Sequence, residues 1–475
     1  MTSFRLKCLL GLGFAGVVLA AAPAAAGGSA PALAGGLDGG ALDLWWGAPF
    51  VGLLLSIALL PAALPKLWRR HFGLVSLVWA LAFVVPCGLR FGVGAIAQGL
   101  VHVMLLDYLP FVILLGSCYV VTGSMRLTGS FGGTPAANVA VLAAGTLLAG
   151  LLGATCASML LIRPLLAANA GRQQKSHIVV FLIFLVGNIG GGLTPLGNPP
   201  VYLAFLEGVD FFWPLLHLGP PILLATLVLL GVFFLIDRCW YNWEAAAGLI
   251  QAAEPAPVQP KLEGGDNLVL LGAIALIALF QGGWRPGIGF TLAGVELPLQ
   301  TLVGEGLMVA IAVLSLALTE PCARRRLGFS WRPLVEVAVL FAAVFVTVVP
   351  ILALLRAGHT GVAAGWLAGL DPASLFWISG GLSSVLDNAP TWLVFFHAAG
   401  GDAGALMAAP TPTLLAITMG AVFMGANTYI GNAPNLMIKA IAEERGVSMP
   451  SFFVYLAWAA VLLLPLYGLL TLIWF

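Results

Sequence analysis

Apolar runs of about 20 residues, the length a helix needs to cross the hydrocarbon core of a bilayer, recur from Leu44 to the C-terminus. Such a chain has few ways to fold, because hydrocarbon offers no partner for backbone N–H and C=O groups and only helices or closed barrels satisfy them internally. Of its residues 61% are hydrophobic and 8% charged, against about a quarter charged in soluble domains. The reading is an all-α polytopic membrane protein, solvated by lipid. A net charge of +1 gives no reason to expect a nucleic-acid partner. The six cysteines stand singly, with no C-x-x-C pair and no histidine cluster at ligand spacing, so no metal site or cofactor is expected.

Arg5 and Lys7 precede the run "CLLGLGFAGVVLAAA", which ends in small residues at "PAAAGG". That is the pattern of a signal peptide, 1–26, cut near Ala26; a retained first membrane helix is the alternative. Crossings are expected near 44–64, 73–89, 103–125, 177–208 and 214–237, then near 267–284, 301–319, 333–356, 412–445 and 452–475. A polar connector, 238–266, separates a first unit, 44–237, from a second, 267–475. Two further apolar segments, 135–168 and 373–400, carry small and polar residues at their middles, "GATCAS" and "SSVLDNAP". Read as re-entrant hairpins, they place "KLWRRHFG", "NAGRQQKSH", the connector and "PCARRRLGFSWR" on one side, as the gathering of positive charge in the cytoplasm requires.

Each half then holds five crossings and one hairpin, and an odd number turns the second copy upside down. The expected fold is two inverted repeats, an architecture of secondary transporters. "TPLGNPP" and "TYIGNAPN" mark the same break in the two copies, and "ATCASMLL" pairs with "SSVLDNAPTWLV". Gly197 and Gly431 let the helix unwind, while Pro199, Pro200 and Pro434 lack an N–H and suit the first turn of a new half-helix. Freed carbonyls and the amides of Asn198 and Asn432 are expected to face a central site, where half-helix N-termini favour an anion and carbonyl ends a cation.

Asp387 stands at the tip of the second hairpin. A carboxylate at that depth costs at least ~2.5 kcal/mol on insertion scales and marks an ion or proton route, since one carboxylate can hold either a proton or a sodium ion. The bland alternative is a helix cap in water. Its counterpart in the first copy is expected near Ser158 and Met159, so the site is asymmetric. Asn388, Ser383, Ser384, Thr155 and Ser158 lie at the two tips, with Thr194, Thr428 and Asn435 at the breaks. Amide and hydroxyl oxygens suit hard cations and equally suit hydrogen bonds to a carboxylate solute, although hydroxyls often bond back to their own helix. No Walker sequence, dinucleotide motif or nucleophile triad is present, which argues against a pump or an enzyme.

At "ASMLLIRPL", "NIGGGLTPLGNPP", "SSVLDNAPT" and "TYIGNAPN" followed by "KAIAEERG", the chain resembles the ion transporter superfamily, in particular bacterial proteins named for citrate transport or for sodium:proton antiport. The resemblance implies inverted repeats, a central site, a homodimer, and a match of Asp387-Asn388 to the Asp-Asn of the sodium/proton branch. Three functions stay in view: a sodium/proton antiporter of the inner membrane, a sodium- or proton-coupled carrier of citrate or another organic anion, and a membrane scaffold or receptor. The antiporter reading leads, because no basic residue stands at either tip or break.

Overall fold

The computed structural model describes residues 22–24, 37, 39–128, 132–249, 261–284, 286–319, 329–356, 370–409 and 412–475. The expected leader, 1–26, lies outside these apart from Ala22–Ala24, as do 250–260 of the connector and the basic run at 324–326. Among the described residues the chain is helical apart from five short strands. β1 (Ala22–Ala24), β4 (Gly289–Leu292) and β5 (Val295–Pro298) form one antiparallel sheet, and β2 (Arg126–Thr128) pairs with β3 (Lys261–Glu263). The β4–β5 turn places Ala293 and Gly294 at φ 52° and 83°, the left-handed pair that a two-residue hairpin demands.

The first half runs α1 (Ala48–Ala63), α2 (Pro65–Phe91), α3 (Val93–Val103), a π-turn at Met104–Tyr108, α4 (Leu109–Thr122), α5 (Pro135–Leu152), α6 (Ala154–Ala168), α7 (Ser176–Leu185), α8 (Pro199–Leu206), α9 (Trp213–His217) and α10 (Gly219–Ala246). The second holds α11 (Asp266–Gly283), α12 (Leu299–Leu318), α13 (Arg332–Arg356), α14 (Pro372–Ser383), α15 (Asn388–Ala398), α16 (Ala403–Ala408), α17 (Thr413–Met424), α18 (Ala433–Glu444) and α19 (Phe452–Trp474). Eight helical stretches among the described residues are long and apolar enough to cross a membrane. This is an all-α, multi-pass membrane protein.

Burial separates two kinds of apolar helix. The stretch Ser176–Leu193 is 89% buried inside the protein, whereas Arg70–Phe91 is 17% buried. A helix that is apolar all round and still covered belongs to a protein core. α7 and α17 are such helices, and each runs into a break. α7 gives way to a 3-10 turn at Ile189–Leu193 before α8, and α17 to one at Gly425–Asn427 before α18. α14 and α15 have 12 and 11 residues, about 18 and 17 Å at 1.5 Å per residue, well short of the ~30 Å hydrocarbon core. They form a hairpin. α5 and α6 meet at Gly153, and the Ala154 N–H donates to the Gly197 carbonyl at 2.8 Å, tying this tip to the first break.

The packing crosses between halves. α7's continuation lies on α5 and α17 lies on α14, but α8 packs on α15 and α18 on α6. Each broken helix therefore starts against its own hairpin and finishes against the other one.

α10 continues helically through 238–246, into the polar stretch after the fifth crossing, because its acids are paired there. Arg172, in the loop after α6, contacts Asp237 at 2.5 Å and Glu244 at 3.1 Å. Asp237 also accepts from Asn138 of α5 at 2.9 Å and meets His177 of α7 at 2.8 Å. Glu244 accepts the Gln173 and Gln174 N–H groups. All of these charged groups are buried, so the network clamps the base of the first hairpin to α7 and α10.

Two outcomes follow for stability. Removing one partner of a buried ion pair costs about 3–5 kcal/mol, so Arg172→Met should sharply lower the thermal unfolding midpoint in detergent and the yield of monodisperse protein. A methyl at Gly197 would lie 2.2 Å from the Gly191 carbonyl oxygen, whereas one at Gly231 meets nothing within 4 Å. Gly197→Ala should cost about 1–3 kcal/mol by overpacking, and Gly231→Ala should leave the midpoint unchanged or higher.

Candidate functional site

The two breaks share their hydrogen bonding position by position. Thr194 donates its hydroxyl to the Gly150 carbonyl at 2.5 Å and accepts the Leu196 N–H at 3.2 Å. Thr428 donates to the Ser384 carbonyl at 2.5 Å and accepts the Ile430 N–H at 3.2 Å. Thr194 and Thr428 are both extended, at φ −143° and −137°, as are Asn198 and Asn432, at φ −150° and −154°. A Cβ on Gly197 would strike the Gly191 oxygen, and one on Gly431 would come 2.7 Å from the Gly425 oxygen. Every pair is 234 positions apart.

The same offset corrects the expected alignment of the hairpins. It sets Asp387 opposite Gly153, not Ser158 or Met159, and both residues immediately precede the second arm of their hairpin. Gly153 sits at φ 89°, a left-handed conformation that costs glycine little. Asp387 instead caps its helix, accepting the Ala389 N–H at 3.2 Å, and its own carbonyl accepts the Thr391 hydroxyl at 3.0 Å. Its side chain is partly exposed.

Five asparagines join the elements. Asn188, in the first break, donates to the Ile183 carbonyl and to Asn435 Oδ1 of α18, both at 2.8 Å. Asn432 donates to Asn188 Oδ1 at 3.0 Å and to the Gly187 carbonyl at 3.1 Å. Asn388, on the second hairpin, donates to Asn198 Oδ1 at 3.2 Å. Asn435 donates to the Gly425 and Thr428 carbonyls, both at 2.9 Å. All five side chains are buried. Asn198, Asn388, Asn432 and Asn435 are therefore joined through Asn188, which carries no motif of its own. Its one signal is an amide standing inside an otherwise apolar run, "FLVGNIGGG".

This arrangement changes what faces the centre. Backbone carbonyls freed by the breaks were expected there as ligands. Several are already satisfied: those of Ile183, Gly187, Gly425 and Thr428 by asparagine amides, and those of Ala426 and Phe423 by the Tyr455 and Tyr467 hydroxyls at 2.9 and 2.8 Å. Unpaired carbonyls in a dry core are too costly to leave. The hydroxyls are also engaged, Ser383 to the Ala421 carbonyl at 2.7 Å and Ser384 to the Gly380 and Met424 carbonyls at 2.9 and 3.1 Å. Three buried side-chain oxygens here have no hydrogen-bond partner: Asn388 Oδ1, Asn427 Oδ1 and Ser158 Oγ. Asn427, which the sequence reading passed over, donates to Ser384 Oγ at 2.9 Å beside the Asp387 tip. Thr155 is half-buried at the start of α6.

The helix starts present few donors. Pro199 and Pro200 have no N–H, and the Val201 N–H is spent on the Asn198 carbonyl at 3.1 Å. In α18 Pro434 has none, and the Asn435 N–H goes to the Asn432 carbonyl at 3.0 Å. The first-turn N–H groups that make a helix N-terminus an anion site are thus absent from α8 and depleted in α18.

The family profile described as "Putative citrate transport" matches residues 39–475. The chain is also similar to the uncharacterized transporters Mb2703 of Mycobacterium bovis and Rv2684 of Mycobacterium tuberculosis. Each is 24% identical over 356 residues, covering 70% of this chain and 78% of the relative. A match across nearly the whole length places this chain in the "Putative citrate transport" family, and its function is that of a transporter.

Proposed function

We propose that the protein is a secondary active transporter of the inner membrane that exchanges sodium ions for protons at Asp387. The two halves would enter the bilayer in opposite senses, each giving one hairpin and one broken helix to the site, and two copies would form a homodimer. The observation that carries the cation is the balance of donors and acceptors. The centre offers a carboxylate and amide oxygens without donors, while prolines and backbone bonds have taken most of the first-turn N–H groups of α8 and α18 that would favour an anion. Among the described residues no lysine or arginine is hydrogen-bonded to any of the five asparagines at the breaks and second tip.

The chemistry needs little else. Hard cations take oxygen ligands, and Asp387 supplies the charge that makes the site favourable for sodium. A proton on the same carboxylate removes that charge and releases the ion, so occupancy by either excludes the other. The asparagine lattice, being buried and mutually bonded, would hold the oxygens in place through the cycle.

A second reading has its own support in the family's description. A coupled carrier of citrate or another organic anion would bind its solute through a co-bound sodium bridging Asp387 and the solute's carboxylates, since helix N-termini contribute little here. The two readings share the residue and differ in cargo.

In everted vesicles carrying a pH gradient, added sodium should dissipate the gradient, and Asp387→Asn should abolish this while inserting normally. Normal exchange by that variant would remove Asp387 from the mechanism. In proteoliposomes, labelled citrate accumulating under a sodium gradient would instead establish the second reading.

A further inference from the structure

α12 has one charged residue, Glu305, in a stretch long and apolar enough to cross a membrane. It lies about 9 Å along the axis from the helix start at 1.5 Å per residue. Its side chain is buried, at 8% exposure, and Oε1 has no hydrogen-bond partner. Among the described residues it belongs to no ion pair. Among the described residues, the elements packed most closely on α12 are α4, α11 and β5, and within them the titratable groups are Cys118, Tyr119, Asp266 and Glu296, with no basic side chain. Glu305 therefore stands on the membrane helix of the second half that packs on α4 of the first.

Its repeat mate supports a built position. The residue 234 places earlier, on α2, is His71, whose Nδ1 is also buried and without a partner. α2 packs on α13 as α12 packs on α4. The same site on two related helices thus carries a titratable group with an unsatisfied atom, an acid in one copy and an imidazole in the other.

We propose that Glu305 is a second proton-binding site, separate from Asp387, that takes up and releases a proton at the boundary between α12 and α4. An ionised carboxylate without a partner at this depth is expensive, and intramembrane acids mark proton routes. The neutral acid buries no charge; when water reaches the boundary the proton passes to water, leaving the carboxylate. This rests on the transporter reading for its purpose, but the proton site itself can be measured without transport.

The test is infrared difference spectroscopy of the purified protein across a pH titration, following the carbonyl stretch of protonated carboxyls. A band should be present in wild type and in Asp387→Asn, and be missing in Glu305→Gln. Should the glutamine variant fail to insert, Glu305→Asp should keep the band at a shifted frequency. A band unchanged in either Glu305 variant would overturn the proposal. In vesicles, sodium-driven proton movement should be lost in Glu305→Gln, and normal movement would also contradict it. If wild type moves no protons while the band depends on Glu305, the transport reading fails and the proton site stands.

Discussion

Every backbone N–H and C=O inside a bilayer has to find a partner within the protein, and the rest of this structure depends on how two helices are interrupted without violating that rule. The interruptions fall in the most enclosed helical stretches, and side chains close the accounts. Thr194 and Thr428 bridge each break to its hairpin, Tyr455 and Tyr467 cover carbonyls at the end of α17, and the asparagines cover others. An asparagine has both donor and acceptor, so five of them can bond to one another and to main chain at once. Because Asn188 and Asn198 come from one half and Asn388, Asn432 and Asn435 from the other, satisfying the backbone also fastens the halves together.

The two copies preserve contacts more closely than residues. Gly190 lies against Thr146 in the first half, and 234 positions later Met424 lies against Gly380, with the glycine now on the opposite partner. Gly145 receives Val186, and in the second copy Gly420 receives Ser379. Gly150 meets Leu193 as packing, where Ser384 meets Asn427 as a hydrogen bond. Each of these contacts has a small residue on at least one side, and in the first two the side that supplies it differs between the halves.

That exchange explains what could be read from sequence. The apolar helices and the breaks were legible because they depend on local signals, apolar length and Gly-Asn-Pro phrases that stop and restart a helix. Pro135–Leu152, however, expected as one arm of a re-entrant segment, is itself long and apolar enough to cross. The hairpin register was not legible, since "ATCAS" and "SSVLDNAP" share almost no identities and only the constant offset of the breaks sets Gly153 against Asp387. Nor were Asn188, Asn427 or the cluster around Arg172, because each gains meaning only from a partner far along the chain, such as Asn435 for Asn188 or Asp237 for Arg172. For a similar reason local sequence shows that a break frees carbonyls but not which of them a distant amide claims.

The central claim is that the breaks form one interlocked structure, joined across the halves by amides. It is tested most directly by a double-mutant cycle between Asn188 and Asn432, whose side chains meet at 3.0 Å. Unfolding free energy would be measured for Asn188→Ala, Asn432→Ala and the pair. Residues in one network couple by about 0.5–3 kcal/mol, so the double variant should lose clearly less stability than the sum of the singles. Strictly additive losses would mean the two breaks stand independently, and the account would be wrong.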